Sequence, residues 1–116
     1  MLPRWRGAAP LQHSILSGEK SVGISIFKLD QGMDTGPVYL AQEFPITKDE
    51  TTTEVLNRLS SEGSEMTLVV LEMIKMLKQP TPQSVESVSY ASKFLKKDGE
   101  INWERSSNSI YNFYRA

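Results

Sequence analysis

The sequence predicts an α/β fold in which an antiparallel pair of strands packs against helices. Residues 22–28 alternate apolar with small or polar side chains and are rich in β-branched residues, which is typical of a strand with one buried face. Residues 51–78 instead repeat their apolar side chains every three or four positions, as an amphipathic helix does. With 116 residues and 39% hydrophobic content, the chain is expected to be one domain or a piece of one.

The first residues predict a basic loop followed by a short helix. Pro3 and Gly7 punctuate residues 1–7, which show no hydrophobic period. Pro10 suits the first turn of a helix, and Gly18 stands where a left-handed C-terminal cap is expected. The apolar face of this helix would consist of Leu11, Ile15 and Leu16.

Two strands are expected next, on either side of a loop. The first covers Val22–Lys28, and the loop covers Asp30–Pro37. A connection of this length that contains glycine favours an antiparallel, hairpin-like pair. The second strand is indicated by the spacing of Val38, Leu40, Phe44 and Ile46.

A long helical segment should then cover residues 51–78. Gly63 is expected to divide it into a shorter helix, with Val55, Leu56 and Leu59, and a longer one. The longer helix carries an apolar stripe that we expect to face the core rather than a partner or a membrane. The stripe consists of Met66, Val69, Val70, Met73, Ile74 and Leu77.

The composition changes after residue 79. Residues 79–89 contain two prolines and several serines and lose the apolar period, which predicts a linker or domain boundary. A turn at 96–100 should precede a final helix that Ser106 or Ser107 caps. One face of that helix, with Ile110, Phe113 and Tyr114, has no evident partner in the sequence. We therefore divide the chain into residues 1–79 and 80–116.

Composition excludes several classes of function. The net charge of −1 gives no global attraction for nucleic acid or an anionic membrane, and no stretch is long and apolar enough to span a bilayer. The absence of cysteine excludes disulfides and thiolate chemistry, and a single histidine cannot form a histidine metal cluster. We expect a soluble, intracellular protein, cytoplasmic or alternatively in the mitochondrial matrix.

Asp34 is the strongest candidate for a catalytic residue. It lies in a loop flanked by glycine between the two predicted strands, where scaffolded loops tend to present functional groups. One alternative is a turn aspartate that satisfies its own backbone. Another is a dimeric aspartic protease, because Asp34-Thr35-Gly36 is the triplet of those enzymes; the polar residues before it and the long helical segment disfavour that alternative.

The basic loop and the Asp34 loop together carry a specific resemblance. Their sequences are Leu2-Pro3-Arg4-Trp5-Arg6-Gly7-Ala8-Ala9-Pro10 and Asp30-Gln31-Gly32-Met33-Asp34-Thr35-Gly36, separated by the strand Val22-Gly23-Ile24-Ser25-Ile26. In order and spacing they resemble the methionyl-tRNA formyltransferases, a family of folate-dependent enzymes. The resemblance continues through Tyr90-Ala91 and Ile101-Asn102-Trp103 to the end of the chain.

This resemblance implies a fold and a reaction. The chain would be the C-terminal half of a Rossmann-like formyltransferase domain, a linker and the beginning of a C-terminal tRNA-binding domain. The reaction would transfer a formyl group from 10-formyltetrahydrofolate to the amino group of methionyl initiator tRNA, without a metal. Asp34 maps onto the catalytic aspartate, which orients a histidine and helps to move a proton.

The same resemblance identifies further residues and a deficiency. The histidine and asparagine that supply hydrogen bonds to the oxyanion lie just before the Leu2-Pro3-Arg4 segment in the family, and this chain begins at Met1. We therefore expect a truncated, inactive chain, and we expect His13 to have a surface or packing role. The full-length protein would be a monomer. The pterin ring would contact Lys28, Leu29, Asp30, Gln31, Gly32 and Met33.

The basic loop has two interpretations. Arg4 and Arg6 could contact tRNA phosphate while Trp5 stacks or packs. Alternatively, the loop is structural, with Trp5 buried and the guanidinium groups bound to carbonyls or acids. Two alternatives to the whole enzyme also stand: a non-catalytic remnant that binds folate or tRNA, and a formyltransferase for another amine.

Overall fold

The computed structural model describes residues 1–116, and in it the predicted α/β arrangement is confirmed. A short 3₁₀ turn at Lys96–Gly99 falls within the turn that the sequence predicts. The strands and helices, in chain order, are β1 (Arg6–Gly7), α1 (Pro10–Leu16), β2 (Ser21–Phe27), β3 (Val38–Pro45), α2 (Thr52–Lys75), β4 (Tyr90–Ala91) and α3 (Ser107–Arg115).

Strands β2 and β3 form the predicted antiparallel pair. Ser21 lies opposite Pro45 at one end, and Ile26 lies opposite Leu40 near the loop, with an irregularity just after Ile26. The side chains of the cross-strand pair Val22 and Phe44 are both buried. This pair of strands positions the loop that carries Asp34.

Helix α1 begins and ends as the sequence predicts. Pro10 occupies its first turn, and Gly18 follows the cap residue with a left-handed φ of 71°. The Gly18 amide donates to the Ile15 carbonyl at 3.0 Å, and the Glu19 amide donates to the Ser14 carbonyl at 3.1 Å. This is the double hydrogen bond of a Schellman motif, which favours glycine because of its positive φ.

Helix α2 is continuous, so the predicted break at Gly63 is wrong. The helix starts with a capping box, in which Thr51 and Glu54 satisfy each other's backbone amides. A glycine inside a helix costs only about 1 kcal/mol. Burial of Val55, Met66 and Val70 against the rest of the chain offsets that cost.

Only part of the apolar stripe of α2 is buried, which corrects the expectation of a stripe that faces the core throughout. Met66 and Val70 are buried, whereas Val69 is 52% and Leu77 81% exposed. The 24 residues of α2 extend over about 36 Å, while the eight residues of β3 cover about 26 Å. Val69 adjoins the buried Val70, and Leu77 follows the end of the helix at Lys75, so the covered stripe of α2 is narrower and shorter than predicted.

The core lies where α1, β2 and α2 meet. Ile15, Val22, Ile46 and Val55 form its buried cluster, with partly buried side chains at its edge. Those edge residues are Leu11, Leu59 and Ala116. None of the helices has both the length and the apolar character needed to cross a membrane.

The segment after α2 returns to the strands. The Thr81 and Val38 backbones exchange hydrogen bonds of 2.7 and 2.8 Å. Further on, β4 pairs in parallel with β1, with Arg6 opposite Tyr90 and Gly7 opposite Ala91. The residues predicted as a linker thus lie against the first part of the chain, and the division at residue 79 stays a prediction.

Helix α3 has the predicted cap but packs through other residues than expected. The Ser106 hydroxyl accepts a hydrogen bond from the Ser109 amide. The predicted face included Tyr114, which is 75% exposed, whereas Arg115 is buried and donates to the Thr47 and Glu50 carbonyls at 3.2 and 3.0 Å. Ile110 and Phe113 of the predicted face are half-buried, and the Thr52 hydroxyl donates to the Ala116 carbonyl at 2.9 Å, so helix α3 is attached by polar as well as apolar contacts.

Candidate active site

Asp34 lies in the loop between β2 and β3, and the loop's own side chains shape it. The Lys28 amide donates to the Pro37 carbonyl at 2.9 Å and closes the base of the loop. Near the tip, Asp30 Oδ1 accepts from the Gly32 amide at 3.0 Å and from the Thr35 hydroxyl at 2.6 Å. The loop is therefore a compact turn with Asp34 on its inner side.

The Asp34 carboxylate is half-buried and held by one backbone group. Its Oδ2 accepts a hydrogen bond of 2.7 Å from the amide of Gly7, at the end of the basic loop. Its Oδ1 accepts none from the chain. Asp34 has a left-handed φ of 55°, a conformation that is unusual for a residue with a side chain. One oxygen is thus fixed and the other is available to a ligand.

Gly36 and Gly7 allow the backbone segments around the Asp34 loop to lie close together. A Cβ on Gly36 would lie 1.7 Å from the Lys28 carbonyl oxygen. A Cβ on Gly7 would lie 2.7 Å from the Ala91 carbonyl oxygen, and Gly7 has a φ of 122°. No larger residue fits either position without moving the backbone.

Gln83 contacts the same loop and was missed by the sequence reasoning, which placed it in a linker. Its Nε2 donates to the Asp34 carbonyl at 2.8 Å and to the Gly36 carbonyl at 2.7 Å. Its Oε1 accepts from Arg6 Nη2 at 2.7 Å and from Arg6 Nε at 3.2 Å. A contact between residues 49 positions apart leaves no signal in the hydrophobic pattern.

The basic loop follows the structural interpretation at two of its three positions. The Arg6 guanidinium donates to the Gln83 side chain, and Arg6 is only 8% exposed. Its contact with tRNA stays a prediction. Trp5 is half-buried, and its Nε1 donates to Glu19 Oε1 at 3.0 Å. Arg4 forms a surface ion pair with the same glutamate and keeps half of its side chain exposed. Among the three, only Arg4 can reach a phosphate at the surface.

His13 has a packing role. Its ring stacks between Trp5, at 5.5 Å between centroids, and Phe94, at 4.6 Å. Its Nε2 lies 3.0 Å from the Ser92 carbonyl oxygen. These contacts hold His13 against the C-terminal segment.

The outer side of the Asp34 loop is open. Leu29 is 82% and Met33 66% exposed. The backbone amides of 29, 30, 31 and 33 donate no hydrogen bond within the chain. All six residues from 28 to 33, predicted to contact folate, are exposed. This side of the loop offers unpaired amides next to apolar side chains.

A small cavity of about 170 Å³ lies on the inner side, next to Asp34. Residues 28–33 do not line it, so the structure does not bring them into one cavity with the carboxylate. Its volume is below the roughly 300–1,000 Å³ of typical ligand pockets, so it can hold only part of a ligand. Besides Asp34, it is lined by side chains of the basic loop and β2, including Leu2, Arg4, Trp5, Ser25 and Phe27.

Comparison of sequences identifies the relatives of this chain. The sequence profile of the family described as "Formyl transferase" matches residues 1–71. The methionyl-tRNA formyltransferase of Bartonella henselae is 41% identical over 120 residues, which cover 100% of this chain and 38% of that protein. The protein of the same name from Thermus thermophilus is 43% identical over 116 residues, covering 100% of this chain and 37% of that protein. The chain thus spans well under half the length of these relatives.

Solved structures of formyltransferases are also similar to this chain. An N-formyltransferase from Helicobacter canadensis, in complex with folinic acid and dTDP-3-aminofucose, superposes with a TM-score of 0.85 at 26% identity, over 98% of this chain and 43% of that chain. The methionyl-tRNA formyltransferase from Clostridium thermocellum gives 0.72 at 25% identity, over 98% and 48%. These matches set aside the aspartic-protease alternative for Asp34-Thr35-Gly36. The chain belongs to the formyl transferase family.

Proposed function

We propose that this chain is the part of a methionyl-tRNA formyltransferase that carries the catalytic aspartate, Asp34. The whole enzyme transfers a formyl group from 10-formyltetrahydrofolate to the amino group of methionyl initiator tRNA. The observation that carries the proposal is the Asp34 carboxylate, half-buried and held by the Gly7 amide at 2.7 Å in a formyltransferase fold. The relatives that bear this name and are 41% and 43% identical support it over the full chain.

The outer side of the Asp34 loop suits the folate. A flat heteroaromatic ring presents donors and acceptors at its edge and apolar faces above and below. The unpaired amides of 29, 30, 31 and 33 match the edge, and the exposed side chain of Leu29 matches a face. When bound there, the folate supplies a formyl group at a nitrogen, ready for attack by an amine.

Asp34 provides the electrostatic part of the reaction. Attack of the amine on the formyl carbon would create an oxyanion and leave a proton to be removed from the attacking nitrogen; the bond from the formyl carbon to the folate nitrogen would then break, and that nitrogen would take up a proton. Oδ2 is bound to the Gly7 amide, so Oδ1 is left to orient a histidine or accept a proton through water. His13 cannot be that histidine because it is stacked between Trp5 and Phe94. By resemblance, the whole enzyme supplies the histidine and an asparagine from elsewhere.

The remaining assignments follow the same resemblance. Residues 1–79 belong to the catalytic domain, and 80–116 are the linker and the beginning of the tRNA-binding domain of a monomeric enzyme. Arg4 is the tRNA candidate, because its guanidinium is at the surface, whereas Arg6 is buried.

A chimera tests this function. The chain replaces the stretch that it matches in the Thermus thermophilus relative, and formyl transfer to methionyl initiator tRNA is measured. We expect activity in the chimera, a loss of about 10²-fold or more in kcat for Asp34→Asn, and no turnover by the chain alone. Asp98→Asn, at an exposed aspartate in the 3₁₀ turn at Lys96–Gly99, is the matched control. An Asp34→Asn chimera with the unchanged rate would overturn the proposal.

The second candidate is a formyltransferase for an amino sugar. It is favoured by the TM-score of 0.85 to the Helicobacter canadensis enzyme, which exceeds that to the Clostridium thermocellum tRNA enzyme. Offering the chimera dTDP-3-aminofucose beside methionyl initiator tRNA separates the candidates. A higher kcat/KM for the sugar nucleotide would favour the second one.

A further inference from the structure

The amide of Gln83 binds the Asp34 loop and the basic loop at once. Its NH₂ group donates to the carbonyls of Asp34 and Gly36, at 2.8 and 2.7 Å, so it holds the peptide carbonyls on both sides of Thr35. Its oxygen receives two N–H groups of the Arg6 guanidinium. Each polar atom of the Gln83 side chain is therefore used in a defined direction.

The conformation of Asp34 explains why the loop needs this support. Asp34 has a left-handed φ of 55°, which is uncommon for a residue with a side chain and is retained where the surroundings hold it. The loop's internal hydrogen bonds come from Asp30, on the other side of the turn. Outside the loop, the backbone of Asp34 itself is held by Gln83.

Arg6 strengthens this arrangement. Its guanidinium is buried without a carboxylate partner, so the Gln83 oxygen is its counterpart. A cation bound to an amide oxygen polarises the amide and makes its N–H groups stronger donors. The next residue, Gly7, donates to Asp34 Oδ2 at 2.7 Å. The Arg6-Gly7 dipeptide thus contacts both the side chain of Asp34 and the glutamine that holds its backbone.

We propose that Gln83 is a positioning residue that, polarised by Arg6, holds the backbone of Asp34 so that its Oδ2 meets the Gly7 amide and its Oδ1 faces the cavity. Gln83 touches no reacting atom and acts only through Asp34. The inference rests on the proposed role of Asp34, but its geometry can be tested without turnover.

The test measures the Gly7 amide of the whole 116-residue chain by NMR, since this amide reports the carboxylate directly. Gln83→Glu keeps an acceptor for Arg6 but removes both donors and places a carboxylate next to two carbonyl oxygens. We expect its Gly7 amide proton to move at least half of the way from the wild-type shift to that of Asp34→Asn. We also expect its hydrogen exchange to accelerate about tenfold. Gln42→Glu, on the exposed face of β3, is the matched control and should leave Gly7 unchanged.

A measurement on the wild-type chain covers the case in which the variant fails to fold. The side-chain NH₂ protons of Gln83 should exchange at least about tenfold more slowly than those of Gln42. Equal exchange of the two, or a Gly7 resonance in Gln83→Glu that matches the Gln42→Glu control, would overturn the inference. Those results would leave the role of Asp34 intact, whereas an active Asp34→Asn chimera would overturn the role of Asp34 and not the geometry.

Discussion

The inner and outer sides of the same loop are held very differently. On the inner side, Asp34 and Gly36 are bound by Gly7 and Gln83, which belong to other parts of the chain. On the outer side, the amides of 29, 30, 31 and 33 donate no hydrogen bond within the chain, and the Leu29 side chain is largely exposed. One loop can therefore serve two tasks. The rigid side fixes a carboxylate, and the open side keeps polar and apolar groups available for a ligand.

The largest effect should come from breaking the rigid side at Gly36. In Gly36→Ala the new methyl group would lie 1.7 Å from the Lys28 carbonyl oxygen. We expect a destabilisation of about 3 kcal/mol or more, because overpacking next to backbone cannot relax through a side chain. Urea unfolding followed by circular dichroism measures it. Gly99→Ala, where a Cβ meets nothing within 4 Å, is the control. Equal midpoints for the two variants would contradict the tight inner side.

The next effect compares the two arginines of the basic loop. Arg6→Met leaves the partly buried Gln83 oxygen without a donor, so we expect a loss of about 1 kcal/mol or more. Arg4→Met removes only a surface ion pair with Glu19 and should change stability by less than about 1 kcal/mol. Thermal unfolding of both variants tests this order. A larger loss for Arg4→Met would show that the rigid side does not depend on Arg6.

A smaller effect is expected on the open side, where the change should appear in binding and not in stability. Leu29→Ser alters a side chain that is 82% exposed, so the unfolding free energy should stay within about 0.5 kcal/mol. Affinity for folinic acid in the chimera, measured by calorimetry, should fall by about 5- to 30-fold, because a ligand buries this side chain. Leu68→Ser, on the exposed side of α2, is the control. Unchanged affinity would remove Leu29 from the folate site.

The smallest expected effect is a dependence of stability on pH, and it arises at the start of α2 rather than in the Asp34 loop. Hydrogen bonds from the Thr47 and Thr51 backbone amides, with smaller contributions from side chains, lower the pKa of Glu50 and of Glu54 at the start of α2. A lowered pKa stabilises the fold above the ordinary pKa of glutamate, and this stabilisation is lost as the pH falls through the folded value. The urea midpoint should therefore be lower below about pH 4 than at pH 6. In Glu50→Gln, the difference between these two midpoints should be smaller. An equal decrease in the variant would exclude Glu50 as a cause.

Features that depend on neighbouring residues were predictable. The cap at Gly18, the Ser106 cap of α3 and the antiparallel pairing of β2 and β3 are set by local backbone chemistry and by a period of two. Asp34 could be proposed because a turn flanked by glycine is visible in the sequence. The break at Gly63 was wrongly predicted, because burial on either side of one glycine outweighs its local cost.

The α/β class, the strand pair, the end of α1 and the cap of α3 could be predicted from the sequence, because all of these depend on short-range periodicity and turn chemistry. Three contacts became visible only in the folded chain: Arg6 is buried, Trp5 binds Glu19, and Gln83 holds the Asp34 loop. The physical reason is that a polar side chain can bind any donor or acceptor that the fold brings within reach. Which one it meets depends on how β4 returns to β1, and no local pattern encodes that return.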